Sequence, residues 1–151
     1  MSRNIVLVAH DSRKSELLEW VKTNSTELLN YNLFGTGTTA TLLENIEVNG
    51  AFPFKGKVTH FLSGPLGGDQ QIGASIANGD VDALLFFCDN LITQGHQADI
   101  SALSRLASLY NIAFATNRTT ADMILHSPLF NDDSYKRIIP PVIKNYANRK
   151  L

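Results

Sequence analysis

The chain has a single cysteine, Cys88, and therefore no internal disulfide, which fits a reducing compartment and makes the cytoplasm the expected location. It has no long hydrophobic run. The longest purely apolar stretch, Ala83 to Cys88, falls far short of the roughly 20 residues of a membrane span. Near the N-terminus, Ile5-Val6-Leu7-Val8-Ala9 runs straight into His10-Asp11, too short a core for a signal peptide. An excess of one charge is missing too: Lys+Arg 13 against Asp+Glu 14 leaves a net charge of −1. Nucleic-acid affinity comes mainly from clustered positive charge, so a polyanion binder is not expected. No pair of His or Cys residues has metal-ligand spacing, and no metal site is expected. No repeat, low-complexity tract or linker divides the sequence. What remains is an ordinary globular composition, 44% hydrophobic and 18% charged, over 151 residues. That length supports one domain, residues 1–151, burying roughly 68–70% of its unfolded surface.

Short apolar runs alternate with helical patterns, which is the signature of βαβ units. The runs are Ile5–Ala9, Asn32–Phe34, Val58–Leu62, Ala83–Cys88 and Ile112–Ala115. Being apolar throughout, they read as strands covered on both faces. Helices are expected near Ser15–Asn24, Thr39–Glu44, Asp69–Asn78, Ile100–Tyr110 and Thr119–His126. Asp99 is placed to cap the fourth of these, and Thr119 with Asp122 has capping-box spacing at the fifth. Asn45–Gly56 reads as a loop or irregular insertion, and Pro140-Pro141 precedes a final amphipathic stretch, Val142–Leu151. The expected fold is α/β: a single-domain three-layer sandwich around a mostly parallel, doubly wound, five-stranded, Rossmann-like sheet.

In open parallel sheets, ligands bind beyond the carboxyl ends of the strands. After the first run come His10, Asp11 and Lys14; after the second, Gly35-Thr36-Gly37-Thr38-Thr39. The third is followed by Ser63-Gly64-Pro65-Leu66-Gly67-Gly68-Asp69-Gln70-Gln71, the fourth by Asp89, then His96 and Asp99, and the fifth by Thr116-Asn117-Arg118. Thr36–Thr39 and Ser63–Gly68 combine close backbone approach at glycine, hydroxyl donors and a following helix N-terminus, which suits an oxyanion such as phosphate. Lys14 would add a point charge. The alternative is plain turn chemistry, with Thr38 as an N-cap and Gly and Pro building the second loop.

Asp69 is either a helix cap or a Brønsted base: a helix N-terminus favours its charged form and burial the neutral one. His10 and His96 are the histidines of the rim loops, and a neutral imidazole there can donate to a developing oxyanion and shuttle a proton. Both also admit structural roles. Asp11, Asp89 and Asp99 would orient those rings or act as caps. His60 and His126 read as structural.

The combination of Val8-Ala9-His10-Asp11 with Lys14, Gly35-Thr36-Gly37-Thr38-Thr39, Ser63-Gly64-Pro65-Leu66-Gly67-Gly68-Asp69-Gln70-Gln71 and Ala115-Thr116-Asn117 resembles the methylglyoxal synthase family. The resemblance runs from about Ile5 to Phe130 and more weakly beyond. It implies conversion of dihydroxyacetone phosphate to methylglyoxal and inorganic phosphate without a cofactor, in a cytoplasmic homohexamer inhibited by phosphate. It further implies that Asp69 takes the substrate proton, and that His96, with Asp99 close by, stabilises the enediolate and moves its proton. His10 and Asp11 would line the site. Lys14, Thr36, Gly37, Thr38, Thr39, Ser63 and Gly64 would cradle the phosphate with Asp89 nearby, and Arg149 would reach a phosphate, in its own or a neighbouring subunit.

Two departures fall on one loop: Asn90 stands where the family has Pro after the Asp, and Gly95 where it has Pro before the histidine. The Asn45–Lys57 connection is longer than the family pattern and is expected either on the outside or altering subunit contacts. The same fold also serves as a non-catalytic, phosphate-ligand-binding regulatory domain, which has no need of a base. The homohexamer implied by the resemblance is checked by sedimentation: a species several times 16.6 kDa is expected, and a strict monomer contradicts it.

Overall fold

In β1 (Asn4–Ala9), Ile5, Leu7 and Ala9 point to one side and Val6 and Val8 to the other, and all five are buried. A strand apolar on both faces needs cover on both, and the rest of the chain supplies it. In the computed structural model, which describes residues 3–91 and 97–151, β1 is the middle strand of a five-stranded sheet. The others are β2 (Asn32–Thr36), β3 (Val58–Phe61), β4 (Ala83–Phe87) and β5 (Ala113–Ala115), in the order β3-β2-β1-β4-β5. Every pairing is parallel; Ile5 lies opposite Leu33 on one side and Ala83 on the other. The sheet is thus wholly parallel, where the sequence pattern supports only a mostly parallel one.

One face is covered by α1 (Lys14–Thr23), α2 (Ser25–Leu28), α3 (Gly37–Glu44) and α6 (Arg118–Leu125), packing Leu17, Trp20, Leu28, Leu43 and Leu125 on Ile5, Leu7, Leu85 and Phe87. The other is covered by α4 (Gly68–Ala77) and α5 (Gln97–Leu109), whose Ile72, Ile76, Ile100 and Leu103 meet Val6, Val8, Leu84 and Phe86. This is the three-layer sandwich. Trp20, fully buried, gives its indole N–H to Asp122 Oδ1 at 2.6 Å, tying α1 to α6. Among the described residues, no helix is long and apolar enough to cross a membrane.

Four local expectations need correction. Asp122 is engaged by Trp20, and α6 is capped by Asn117, whose Oδ1 accepts the Thr120 N–H at 2.9 Å; the Thr119–Asp122 capping box does not form. Asp99 lies inside the first turn of α5, not at its cap. The edge strand β3 leaves Thr59 and His60 exposed, so it is not covered on both faces. The 45–57 connection is not simply external: Phe54 is fully buried beneath the sheet, and Ile46 nearly so. Its far end is held by Glu44, which accepts the Gly56 N–H at 2.6 Å and contacts His60. Those two contacts, His60 first, hold the Glu44 carboxyl below its ordinary range. His126 accordingly has a structural partner in Asn24, 2.9 Å away.

The N-terminal end of the sheet is tied to the chain's last third. Arg3 donates to the carbonyls of Phe130, Asp132 and Tyr135 at 2.7, 2.8 and 3.1 Å. Beyond it, α7 (Pro141–Ala147) buries no residue in this chain and exposes Val142 and Tyr146. Because the two faces of β1 sit at the centre of both cores, Leu7→Ala is expected to cost about 2–5 kcal/mol of stability. Urea unfolding measures it, and a loss below about 1 kcal/mol would contradict the packing described.

Candidate active site

The strand order reverses between β1 and β4, and at such a switch point the loops above the carboxyl ends diverge and leave a crevice. A cleft of about 260 Å³ opens there. Its lining comprises His10, Asp11 and Lys14 from beyond β1, Thr36, Thr38 and Thr39 from beyond β2, and Ser63, Gly64, Pro65 and Asp69 from beyond β3, with Val8, Ala9 and Phe86 as floor. His10 and Asp69, 59 positions apart in the chain, thus share one concavity.

Each loop adopts its path for a local reason. Gly37 opens α3 directly after Thr36, so Thr36 rather than Thr38 stands at the cap position. A Cβ on Gly37 would lie 2.2 Å from Ser63 Oγ and 2.9 Å from Ser63 Cα, so only glycine lets the β2 and β3 loops close on each other. Gly64 does the same over the carboxylate: its missing Cβ would sit 3.2 Å from both Asp69 oxygens. Asp69 itself is 2% exposed, in the first turn of α4, with the Ser63–Gly64 backbone folded across it. It is therefore a buried carboxylate at the wall of the cleft, aimed at the oxyanion loops rather than at solvent.

Lys14 contacts Asp11, and that ammonium, by hydrogen bond first and charge second, holds the Asp11 carboxyl below its ordinary range. On the β1–β4 side, the His10 backbone N–H donates to Phe87 O at 3.1 Å and the ring stands edge-on to Phe86, centroids 5.2 Å apart. The Asp89 N–H donates to His10 Nδ1 at 2.8 Å. A ring nitrogen that accepts a hydrogen bond carries no proton, so His10 is the neutral imidazole protonated on Nε2. The Asp89 carboxylate, 8% exposed, accepts from Ser12 Oγ at 2.6 Å and from the Leu91 N–H at 2.9 Å. The Asp89 backbone N–H thus orients an imidazole.

Of the remaining candidates, Asp99 and Arg149 lie elsewhere. Asp99 accepts from Gln70 Nε2 at 2.8 Å in an adjoining cleft between α4 and α5, whose wall Asp69 shares. His96 lies outside the described residues. Arg149 is not part of the cleft in this chain; its guanidinium stacks on the Tyr146 ring at 3.7 Å and donates to the Tyr146 carbonyl. Sequence reasoning missed Ser12, a small hydroxyl in a turn of charged residues, where nothing in the pattern marks it. It also missed Phe86, whose membership in an apolar run hides its second use as floor. Cys88 borders the site but is buried, its thiol pushed up to about 11 by desolvation, and at neutral pH it is no nucleophile. Among the described residues, no cluster of three or more His, Cys, Asp or Glu side chains could hold a metal ion. A larger hollow of about 380 Å³ lies at the opposite end of the sheet, but it is mainly apolar, and its Arg3 and Arg137 are engaged by backbone carbonyls and by Asp82.

A wholly parallel α/β sandwich with a polar cleft above the carboxyl ends of its strands and a buried carboxylate in the cleft wall defines the class, and comparison with known proteins narrows it. A family model described as the MGS-like domain matches residues 16–116. A methylglyoxal synthase of Leptospira interrogans is 50% identical over 138 residues, covering 91% of this chain and 87% of that protein. One of Proteus mirabilis is 48% identical over 149 residues, covering 99% and 92%. The crystal structure of methylglyoxal synthase from Elizabethkingia anophelis superposes with a TM-score of 0.82 at 36% identity, covering 99% of this chain and 93% of that one. The chain belongs to the methylglyoxal synthase family.

Gly37→Ala is expected to push the two oxyanion loops apart and weaken binding of inorganic phosphate about tenfold, the effect of roughly 1.4 kcal/mol of overpacking. Calorimetric titration, with circular dichroism as the fold control, measures this. Wild-type affinity in the variant would show that the loops do not close on the anion.

Proposed function

We propose that this chain is a methylglyoxal synthase that converts dihydroxyacetone phosphate to methylglyoxal and inorganic phosphate, acting in the cytoplasm as a single-domain subunit of a homohexamer. The observation that carries the chemistry is the placement of one buried carboxylate, Asp69, in the wall of the cleft that also holds Lys14, Thr38, Thr39, Ser63 and Gly64. A purely sensory phosphate site has no use for that carboxylate. The anion is held by the Lys14 ammonium, the threonine and serine hydroxyls and the N–H groups at the start of α3.

With the phosphate so held, Asp69 removes a proton from the hydroxymethyl carbon of the substrate. The electron pair moves onto the carbonyl oxygen, giving an enediolate, and such an oxyanion forms readily only against preorganised donors. His10, neutral with its proton on Nε2, is one such donor. Family resemblance assigns to His96, together with Asp99, the transfer of a proton between the two oxygens, and phosphate inhibits by occupying the substrate's own anion site. This pairing of a carboxylate base with a neutral imidazole follows the handling of the same triose in triosephosphate isomerase.

The enediolate has two fates: reprotonation returns an isomer, and loss of phosphate gives the enol of methylglyoxal, which ketonises. Loss requires the C–O(P) bond to stand roughly perpendicular to the enediolate plane, so that its σ* orbital overlaps the π system. The loops that fix the phosphate therefore choose the product, a case of orientation deciding the outcome.

Incubation of the protein with dihydroxyacetone phosphate, assaying free phosphate and dicarbonyl together, separates lyase, isomerase and sensor. Equal yields of both products are expected. Asp69→Asn is expected to lower turnover by about 10²–10⁴-fold, the range for loss of a general base, while phosphate affinity stays near wild type. Near-normal turnover in that variant removes Asp69 from the base role.

A further inference from the structure

Ser12 sits in the 3-10 turn Asp11–Arg13, exposed, and no step above uses it. Yet its hydroxyl donates to Asp89 Oδ2 at 2.6 Å, across the line where β1 and β4 part. The other carboxylate oxygen accepts the Leu91 N–H at 2.9 Å, so Asp89 is gripped at both oxygens, once from each strand's following turn. A carboxylate held at two points fixes the orientation of its own residue, and hence of its peptide N–H. That N–H is the group that donates to His10 Nδ1 at 2.8 Å and leaves the ring proton on Nε2.

We propose that Ser12 is a positioning residue: by anchoring the Asp89 carboxylate it aims the Asp89 N–H and so keeps His10 in its Nε2-protonated, oxyanion-donating form. Without the hydroxyl, the Asp89 side chain loses its link to the β1 turn, and the N–H no longer opposes protonation at Nδ1. The ring then samples both neutral tautomers, and the one protonated on Nδ1 has no proton on Nε2 to offer. Ser12 never touches substrate; its effect passes through two hydrogen bonds. A threonine keeps the donor, and an alanine removes it with little change in volume.

The importance of His10 for turnover rests on the proposed function, so the test reads the ring itself in the absence of substrate. Nitrogen-15 shifts of the His10 ring, assigned by loss of its signals in His10→Gln, are recorded at a pH where the ring is neutral. The wild type is expected to show a single Nε2-protonated pattern. Ser12→Ala is expected to move both nitrogens toward the average of two tautomers and to lower kcat for dihydroxyacetone phosphate about tenfold, the lower end of the range for a group that orients a catalytic ligand, with KM within about twofold. Ser12→Thr is expected to restore both readouts. An unchanged His10 pattern in folded Ser12→Ala overturns the proposal whatever turnover does. A wild type with the stated pattern and no turnover of this substrate sinks the functional reading and leaves the Ser12 assignment standing. Ser12 lies on an exposed turn, and should Ser12→Ala fail to fold, Ser12→Cys, isosteric with a weak donor, carries the same reading.

Discussion

The pairing of β1 with β4 is the contact on which the rest of the molecule depends. Five consecutive registers, Ile5 with Ala83 through Ala9 with Phe87, bury both strands at the centre of the sheet. Where the ladder ends, the two chains continue as His10–Lys14 and Cys88–Leu91, and three further hydrogen bonds stitch those turns together. A parallel sheet that is buried on both faces cannot slide by one residue without turning each core inside out. The turns at the cleft therefore inherit a register set by hydrophobic packing, and polar groups with no strong local preference are delivered to fixed places.

The legibility of the sequence follows from this division. Runs such as Val6–Ala9 and Ala83–Phe87 advertise a doubly covered strand, because burial on both faces leaves no polar position to confuse the pattern. The rim loops were equally readable, since oxyanion cradles need glycine, hydroxyl and helix start in close succession. Other features depend on partners remote in the chain. Nothing local in Asp122 announces that it will accept from an indole 102 positions away, and a capping box was the natural reading until Asn117 took the cap. Phe54 belongs to a segment with every mark of a surface loop, yet its ring is drawn under the sheet. The tautomer of His10 was invisible for the same reason: it is set by a backbone group 79 positions distant.

The cleft also shows how little distinguishes a binding site from a reactive one. Its threonines, serine, glycines and lysine would serve any phosphate ester, and a regulatory domain of this architecture could use all of them. What makes the reading catalytic is the combination of Asp69, nearly without solvent contact, with a neutral imidazole held across the cleft. In the proposed mechanism one group takes a proton from carbon, the other receives the negative charge, and the anion loops set the geometry of departure. The carboxylate follows β3, the imidazole follows β1, and the polar loops follow β1, β2 and β3, so all three depend on the register of one sheet.

Arg3 has a consequence of another kind. Its guanidinium gathers the carbonyls of Phe130, Asp132 and Tyr135, so the residue just before β1 doubles as the clasp for the trailing segment. A ribosome releases these parts in reverse order of need: the clasp emerges first and waits for carbonyls made some 130 residues later. Until residues 130–135 have been made, Arg3 lacks these three acceptors, so the buckle closes only once that segment follows.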